Sequence, residues 1–394
     1  MRKWCTIFLL AVFLSMAGGP NVWAQQATFH NLGHYPGGTW AEPWGINKAG
    51  VIVGMGDNSS GYTRPIGVPL YGPNARQWFD LGTLGGDTAD YVMCMDIADT
   101  GMIVGHTAIA GNAVIHPFVW THETGMVDIG SLADAGYDGY VNGIVWGTNR
   151  SGTLLVGWSS TGIDRNGPDG PSADSYPVVW TPKMVWDSGK WKMKWRIHKL
   201  DTNGFESFTY WTALHPNDHG RIVGMAQGTD GTLIGVVWNP VWGRDDWEIQ
   251  QLPTPPGYNT VWPSEISNNG EIVGDVATTD WSSYFPAYWK PTGHSGNNYS
   301  VTILPTLGGY LSGVGDGEGI NDEGDIVGGS TDAKGNYYAT AWSAKDPKFA
   351  PRLLPSPHHS GSGSFAARVN NNGVVAGSYW NDEVSENTAA WILR

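Results

Sequence analysis

Cysteine is almost missing from this 394-residue chain: it occurs twice, as Cys5 and Cys94. If Cys5 leaves with an N-terminal leader, no intrachain disulfide can form, and the fold must be stabilised by its core alone. Cys94 is then expected as a small buried apolar residue and not as a nucleophile. Basic residues are scarce too, with 22 Lys and Arg against 36 Asp and Glu and a net charge of −14. A chain this acidic repels nucleic-acid phosphates and anionic lipid headgroups, so neither is an expected partner. No HExxH, paired CxxC, Walker glycine loop or dinucleotide fingerprint is present, and no cofactor is expected. DRNGPDG (164–170) comes nearest to a calcium loop, but Pro168 stands where a ligand is needed and Asp169 falls one place late, so it reads as a turn and no metal is expected.

Long apolar runs are absent with one exception. Arg2 and Lys3 precede an apolar stretch from Cys5 to about Ala17, followed by the small-residue site Val22-Trp23-Ala24. This is the pattern of a signal peptide over residues 1–24, too short to span a bilayer. Cys5 lies before the apolar run, which argues against a lipoprotein. The expectation is a protein secreted to the periplasm or beyond the cell after cleavage near Ala24, with no stable membrane anchor. Loss of Arg2 and Lys3 takes its charge to −16.

Residues 25–394 read as one domain because they repeat. One phrase recurs seven times: NKAGVIVG (47–54), ADTGMIVG (98–105), NRSGTLLVG (149–157), NDHGRIVG (217–224), SNNGEIVG (267–274), NDEGDIVG (321–328) and NNNGVVAG (370–377). Asn or Ser at its start can hydrogen-bond its own backbone, and the first Gly can take the left-handed conformation of a tight turn. The β-branched pair that follows suits a strand, and the second Gly suits a bulge or a close backbone approach. The third copy has one extra residue, read as a bulge. Each hairpin is followed by an apolar segment that ends in Trp in six units: HPFVW (116–120), YPVVW (176–180), IGVVW (234–238), FPAYW (285–289), YATAW (338–342) and NTAAW (387–391). Next comes a short strand of the type FDLGTLGG (79–86) or VDIGSL (127–132). Four short strands in roughly 50 residues, with no helical periodicity, is the size of a propeller blade. The chain opens with the DLG-type strand (29–33) and closes with a Trp-type strand (387–393), so the first strand is expected to complete the last blade. The predicted fold is an all-β, seven-bladed propeller with four antiparallel strands per blade.

DLGTLGG, the IN-x-x-G-x-IVG phrase and HPFVW resemble a bacterial extracellular repeat family named for its His-Ala-Phe tripeptide, the HAF repeat. The resemblance covers essentially residues 28–394 and is closest in the second unit, although Pro117 replaces the family's Ala. The fourth and fifth units depart most, with IHKLD and IQQLP in place of DLG. The family implies secretion and a repeated β fold, and it supplies no catalytic residues.

In a propeller, the loops leading from one blade's outermost strand to the next blade's innermost strand share a face with the loops joining second and third strands. Ligand sites form there, around the central channel. The repeat places Trp40, Trp44, Tyr91, Tyr140, Trp146, Phe208, Tyr210, Trp211, Trp262, Tyr310 and Phe365 before or along innermost strands, and Trp158, Trp281 and Trp380 after second glycines. Six of the 22 Trp close third strands and are packing residues, each contributing roughly 4–6 kcal/mol at most on burial. The others on the loop face suggest a platform for sugar rings, with Trp40, Trp44, Tyr140, Trp211, Trp262 and Tyr310 as the binding candidates. Trp186, Trp191 and Trp195 alternate with Lys190, Lys192 and Lys194 in an insertion that reads as an extended hairpin covering a sheet edge.

Polar candidates on the same face are His34, Tyr35, Glu42, Asp90, Glu206, Glu265, Asp316, Glu318, His358, His359 and Arg368. Catalysis would draw on Glu42, Glu206, Glu265, Glu318, His358 or Arg368, because a glycoside hydrolase needs two carboxylates at a set separation and a polysaccharide lyase needs a base with a cation. Nothing in their spacing pairs them. Three readings stand: a non-enzymatic propeller that binds carbohydrate, a polysaccharide lyase or hydrolase, and a scaffold for a cell-surface protein partner.

Overall fold

Each innermost strand pairs with its neighbour across a turn built from the repeated phrase, and that turn shows why the chain folds as it does. The first glycines of the seven phrases (50, 101, 152, 220, 270, 324 and 373) have φ between 71° and 86°, where any side chain would be strained. The opening Asn accepts a bond from the backbone of its own turn, as Asn47 Oδ1 does from Val51 N and Asn370 Oδ1 from Val374 N, both at 3.0 Å. In the third unit the extra residue lies in the turn and forms no bulge. Thr148 still pairs with Leu155, and Asn149 Oδ1 accepts from both Thr153 N and Leu154 N.

The computed structural model describes residues 27–86, 92–110, 114–139, 141–161, 175–278, 284–293, 298–308, 319–357, 362–381 and 386–393. The proposed leader, the DRNGPDG turn, Asp90, Tyr91, Tyr140, Trp281, Tyr310, Asp316, Glu318, His358 and His359 lie outside the described residues. Within them the protein is a seven-bladed β-propeller: seven antiparallel sheets of four strands, with one 3-10 turn at Leu132–Ala135. The innermost strands of blades 1 to 7 are Ala41–Ile46, Met93–Ile97, Asn142–Thr148, Phe208–Pro216, Thr260–Ile266, Gly319–Ile320 and Gly363–Val369. The ring closes as the termini suggest: Thr28–Gly33 pairs antiparallel with Asn387–Ile392, Thr28 opposite Ile392, as the outermost strand of blade 7.

The core consists of slabs between neighbouring sheets. One joins Val327, Ala339 and Leu354 of blade 6 to Ala366, Val375 and Trp391 of blade 7; another joins Val156 and Val179 of blade 3 to Ala213, Ile222 and Trp238 of blade 4. Five of the repeat Trp pin these slabs with a polar bond as well. The indole N–H of Trp180, Trp238, Trp289, Trp342 and Trp391 donates to Gly130 O, Asp201 O, Pro253 O, Pro305 O and Pro355 O, at 2.6–3.1 Å. Each acceptor follows the outermost strand of the preceding blade. Trp120 instead stacks on Phe79 of blade 1, with centroids 5.8 Å apart.

A second set of bonds runs around the ring at the hairpins. Asn217 Nδ2 donates to Ser267 O, Asn321 Nδ2 to Asn370 O, and Asn370 Nδ2 to Asn47 O across the closure, at 2.8–3.0 Å. The next residue in each turn adds another tier, with Asp218 N, Asn268 N and Asp322 N donating to the side chains of Asn268, Asp322 and Asn371. Asn370→Ala removes both the turn bond and the closure bond and leaves buried backbone groups unsatisfied. It is expected to lower the stability of the ring by about 1–3 kcal/mol, read as a lower urea midpoint at unchanged slope.

His106 is fully buried on the second strand of blade 2, edge-on to Trp146 at 6.4 Å, and desolvation pushes its pKa down to about 4 against a smaller opposing contribution from the Val145 backbone. The unfolded chain therefore takes up this proton first. Stability is unaffected above the ordinary histidine pKa of about 6.5 and falls as pH drops from there to about 4, by about 3 kcal/mol in all. Denaturant titrations across that window should show the slope in the wild type and a flatter curve in His106→Gln.

Candidate functional site

The second glycine of six of the seven phrases builds the channel. A Cβ on Gly54, Gly105, Gly157, Gly224, Gly274 or Gly377 would lie 1.9–2.2 Å from a carbonyl oxygen of the innermost strand. Opposite these glycines that strand carries one extra residue, and the register slips at Pro43/Gly45, Cys94/Asp96, Val145/Gly147, Ala213/His215, Pro263/Glu265 and Ala366/Arg368. Such a bulge re-aims the side chains beside it. Here the extra residues include Trp44, Met95, Trp146, Leu214 and Ser264, and all five line one cavity at the axis.

That cavity holds about 530 Å³ of empty space, open solvent included. Tyr210, Thr212, Met225 and Trp262 complete its wall, and Arg368 reaches it from blade 7. Tyr210 and Trp262 stand near the starts of their strands, so the mouth opens on the face that carries the outer-to-inner connections. The indole N–H groups of Trp44 and Trp146 are buried without a hydrogen-bond partner among the described residues.

Under the aromatic mouth lies a layer of charge. The residue after each of these six bulges is Gly45, Asp96, Gly147, His215, Glu265 and Arg368, and Gly319 holds the same place, two residues before the hairpin phrase, in blade 6. His215 Nε2 is 3.1 Å from Asp96 Oδ2 and 3.8 Å from Glu265 Oε1, while Arg368 Nε is 4.0 Å from Glu265 Oε2. Asp96 also accepts from Thr148 N at 3.0 Å and Ile97 N at 2.8 Å, and Glu265 from Ile320 N at 2.8 Å. Burial pushes the Asp96 carboxyl upward, but the His215 bond and charge, the Arg368 charge and the Thr148 amide outweigh it and hold the pKa below the usual range. The three glycines make room: a Cβ on Gly45 would meet Asp96 Cα at 2.9 Å, one on Gly147 would meet His215 Cδ2 at 2.9 Å, and one on Gly319 would meet Arg368 Cα at 2.9 Å. A second cavity, about 470 Å³, lies on the hairpin side of this layer, where Arg150 Nε approaches Asp322 Oδ2 at 3.7 Å from across the axis. Ionic crossbars therefore span the channel at two depths.

The structure brings together only some of the sequence candidates. Trp44, Trp262, Glu265 and Arg368 meet at the axis. Trp211 does not: it is buried in the slab between blades 3 and 4, its N–H donating to Phe208 O, because the strand turns Tyr210 and not Trp211 toward the axis. Trp40 is half-buried, bridging Glu386 and donating its backbone N–H to Asp57, and it does not line the cavity. Glu42, half-buried on the strand next to Met55, is likewise absent from the cavity wall. Glu206 is exposed and accepts from Gly204 N, a turn bond that lowers its pKa. Trp158 packs with Ile115 and Ile144, and Trp380 stacks on Tyr337, so these indoles are not a platform either. Asp96 and His215 escaped the sequence reading, although both stand two residues before a hairpin phrase, in the same column as Glu265 and Arg368. Cys94 is buried, its thiol pushed well above the ordinary range by burial and by Asp96.

No protein-family model matches the chain, and no curated protein matches it. Among solved structures it is similar to the β-propeller domain of the trilobed protease from Pyrococcus furiosus, at 12% identity and a TM-score of 0.51, over 90% of this chain and 95% of that one. That domain is described as having an open velcro topology, whereas here Thr28–Gly33 closes the ring. A post-proline cleaving enzyme from Rickettsia typhi is also similar, at 10% identity and a TM-score of 0.51, over 89% of this chain and 51% of that enzyme. These likenesses support the propeller fold.

The glycine columns give a direct check. Gly147→Ala should force Leu214 O and the His215 ring apart and reduce stability by about 1–3 kcal/mol in denaturant unfolding.

Proposed function

We propose that the protein is a non-enzymatic binding propeller that seats a sugar ring of a polysaccharide in its aromatic channel mouth. One observation carries this reading: Trp44, Trp146 and Trp262, from three different blades, converge with Tyr210 on one cavity whose inner end is Arg368. Flat aromatic faces match the apolar faces of sugar rings, and the Arg368 guanidinium is a donor for ring hydroxyls. The charged layer lies beneath the cavity, so the ligand enters from one face and ends there.

The chemistry of that layer favours binding over turnover. Asp96 is held as an anion, which suits an ion pair and not a proton donor, and both carboxylates are already committed to backbone amides. Export beyond the cytoplasm, where polysaccharides are met, belongs to the same proposal and fits the leader over residues 1–24 and the HAF resemblance.

Trp262→Ala and Trp44→Ala should each weaken binding to the cognate glycan at least about ten-fold on a glycan array followed by calorimetry, with the unfolding midpoint little changed. Trp40→Ala should leave affinity unchanged. Full retention of binding in both mouth variants, or product release from the bound polysaccharide, would overturn the reading.

A further inference from the structure

The third and outermost strands of blade 3, Ser175–Asp187 and Lys190–Lys199, run well past their sheet. Trp180 is already level with Leu155, the end of the neighbouring strand, and seven more residues follow before the turn. At about 3.3 Å per residue the ribbon extends roughly 20 Å beyond the hairpin face of the ring. Its pairing sorts the side chains cleanly. Met184 opposes Met193 and Trp186 opposes Trp191 on one side, while Lys183 opposes Lys194 and Val185 opposes Lys192 on the other. The two indoles meet edge to face at 5.5 Å and are 62% and 63% exposed, with both methionines at 56%. The ribbon thus covers no edge, contrary to the sequence expectation.

The charge of the segment is the reverse of the protein's. Residues 183–199 hold six of the 22 Lys and Arg of the chain and one acidic residue, Asp187. The corresponding connection of blade 4 lies alongside, since Arg196 and His198 both reach its Asp245 at 3.5 Å. That connection carries Trp242, 99% exposed. The three most exposed indoles among the described residues therefore share one rim of the hairpin face.

We propose that this rim docks the protein reversibly on an anionic lipid surface. Trp and Met side chains at the tip of a projecting ribbon enter the headgroup region, while lysines on the flanking side lay their stems along it and hold the anionic headgroups. Charge complementarity selects this occupant. The chain as a whole is repelled by such a surface, and the local excess of lysine is what lets this one rim approach it. No helix among the described residues is long and apolar enough to cross a membrane. Because the rim belongs to the hairpin face, a docked ring turns its aromatic mouth away from the lipid.

Co-sedimentation with vesicles of phosphatidylcholine alone, and of phosphatidylcholine mixed with phosphatidylglycerol, tests this in wild type and variants side by side. The wild type should pellet with the anionic vesicles and not with the neutral ones. Trp186→Ala/Trp191→Ala, and separately Lys190→Glu/Lys192→Glu/Lys194→Glu, should each lower the bound fraction at least about ten-fold, with unfolding midpoints unchanged. A wild type that stays in the supernatant, or variants that pellet equally, would overturn the proposal. So would a dimer in sedimentation equilibrium that the same substitutions dissociate, since the rim would then belong to a second copy of the chain.

Discussion

Backbone meets backbone without room for a side chain at the second glycine of six of the seven repeats, and the rest of the molecule follows from that contact. With no Cβ, the second strand lets a carbonyl of the innermost strand approach to about 2 Å of where one would stand. The innermost strand bulges opposite, and the bulge turns its next two side chains to the axis. Repeated around the ring, one steric fact yields an aromatic layer and, beneath it, a layer of charge. A larger residue at these glycines would push away the strand that carries the site, so site and scaffold are one construction.

The charged layer departs from the usual apolar interior. Burying Asp96, His215, Glu265 and Arg368 costs desolvation, and ion pairs in such settings rarely outperform hydrophobic packing in stability. Their arrangement offsets that cost with backbone amides from neighbouring blades and with glycines that leave each charge its volume. The bonds link blades 2, 3, 4, 5, 6 and 7 across the axis. Circumferential asparagine bonds do the same work at the turns, where Asn370 joins the last blade to the first.

Much of this was legible in the sequence because it is local chemistry. Turn glycines, opening asparagines and the Trp-ending strands each announce a strand or a turn, and the offset of the termini announces closure. The charged layer was legible in principle, since Asp96, His215, Glu265 and Arg368 occupy one column of the repeat. The facing of the aromatics was not. Side chains alternate along a strand, so one extra residue exchanges the two faces. Register slips at Phe208/Tyr210 and Ala213/His215 put Tyr210 at the axis and Trp211 in the slab. Composition marks both as aromatic, and only the register separates them. The partners of the opening asparagines were hidden for another reason, because half of each amide's bonding goes to a blade some 50 residues away.

The zipped closure has a consequence for how the molecule comes into being. Thr28–Gly33 leaves the ribosome long before its partner, Asn387–Ile392. Until that partner is made, a finished strand trails from a growing arc, and the edge it will cover does not yet exist. Contacts this distant in sequence form slowly, and unpaired edges recruit foreign strands in the meantime. Two nascent copies held close together could exchange their opening strands and mature as interlocked rings, each completed by the other's beginning.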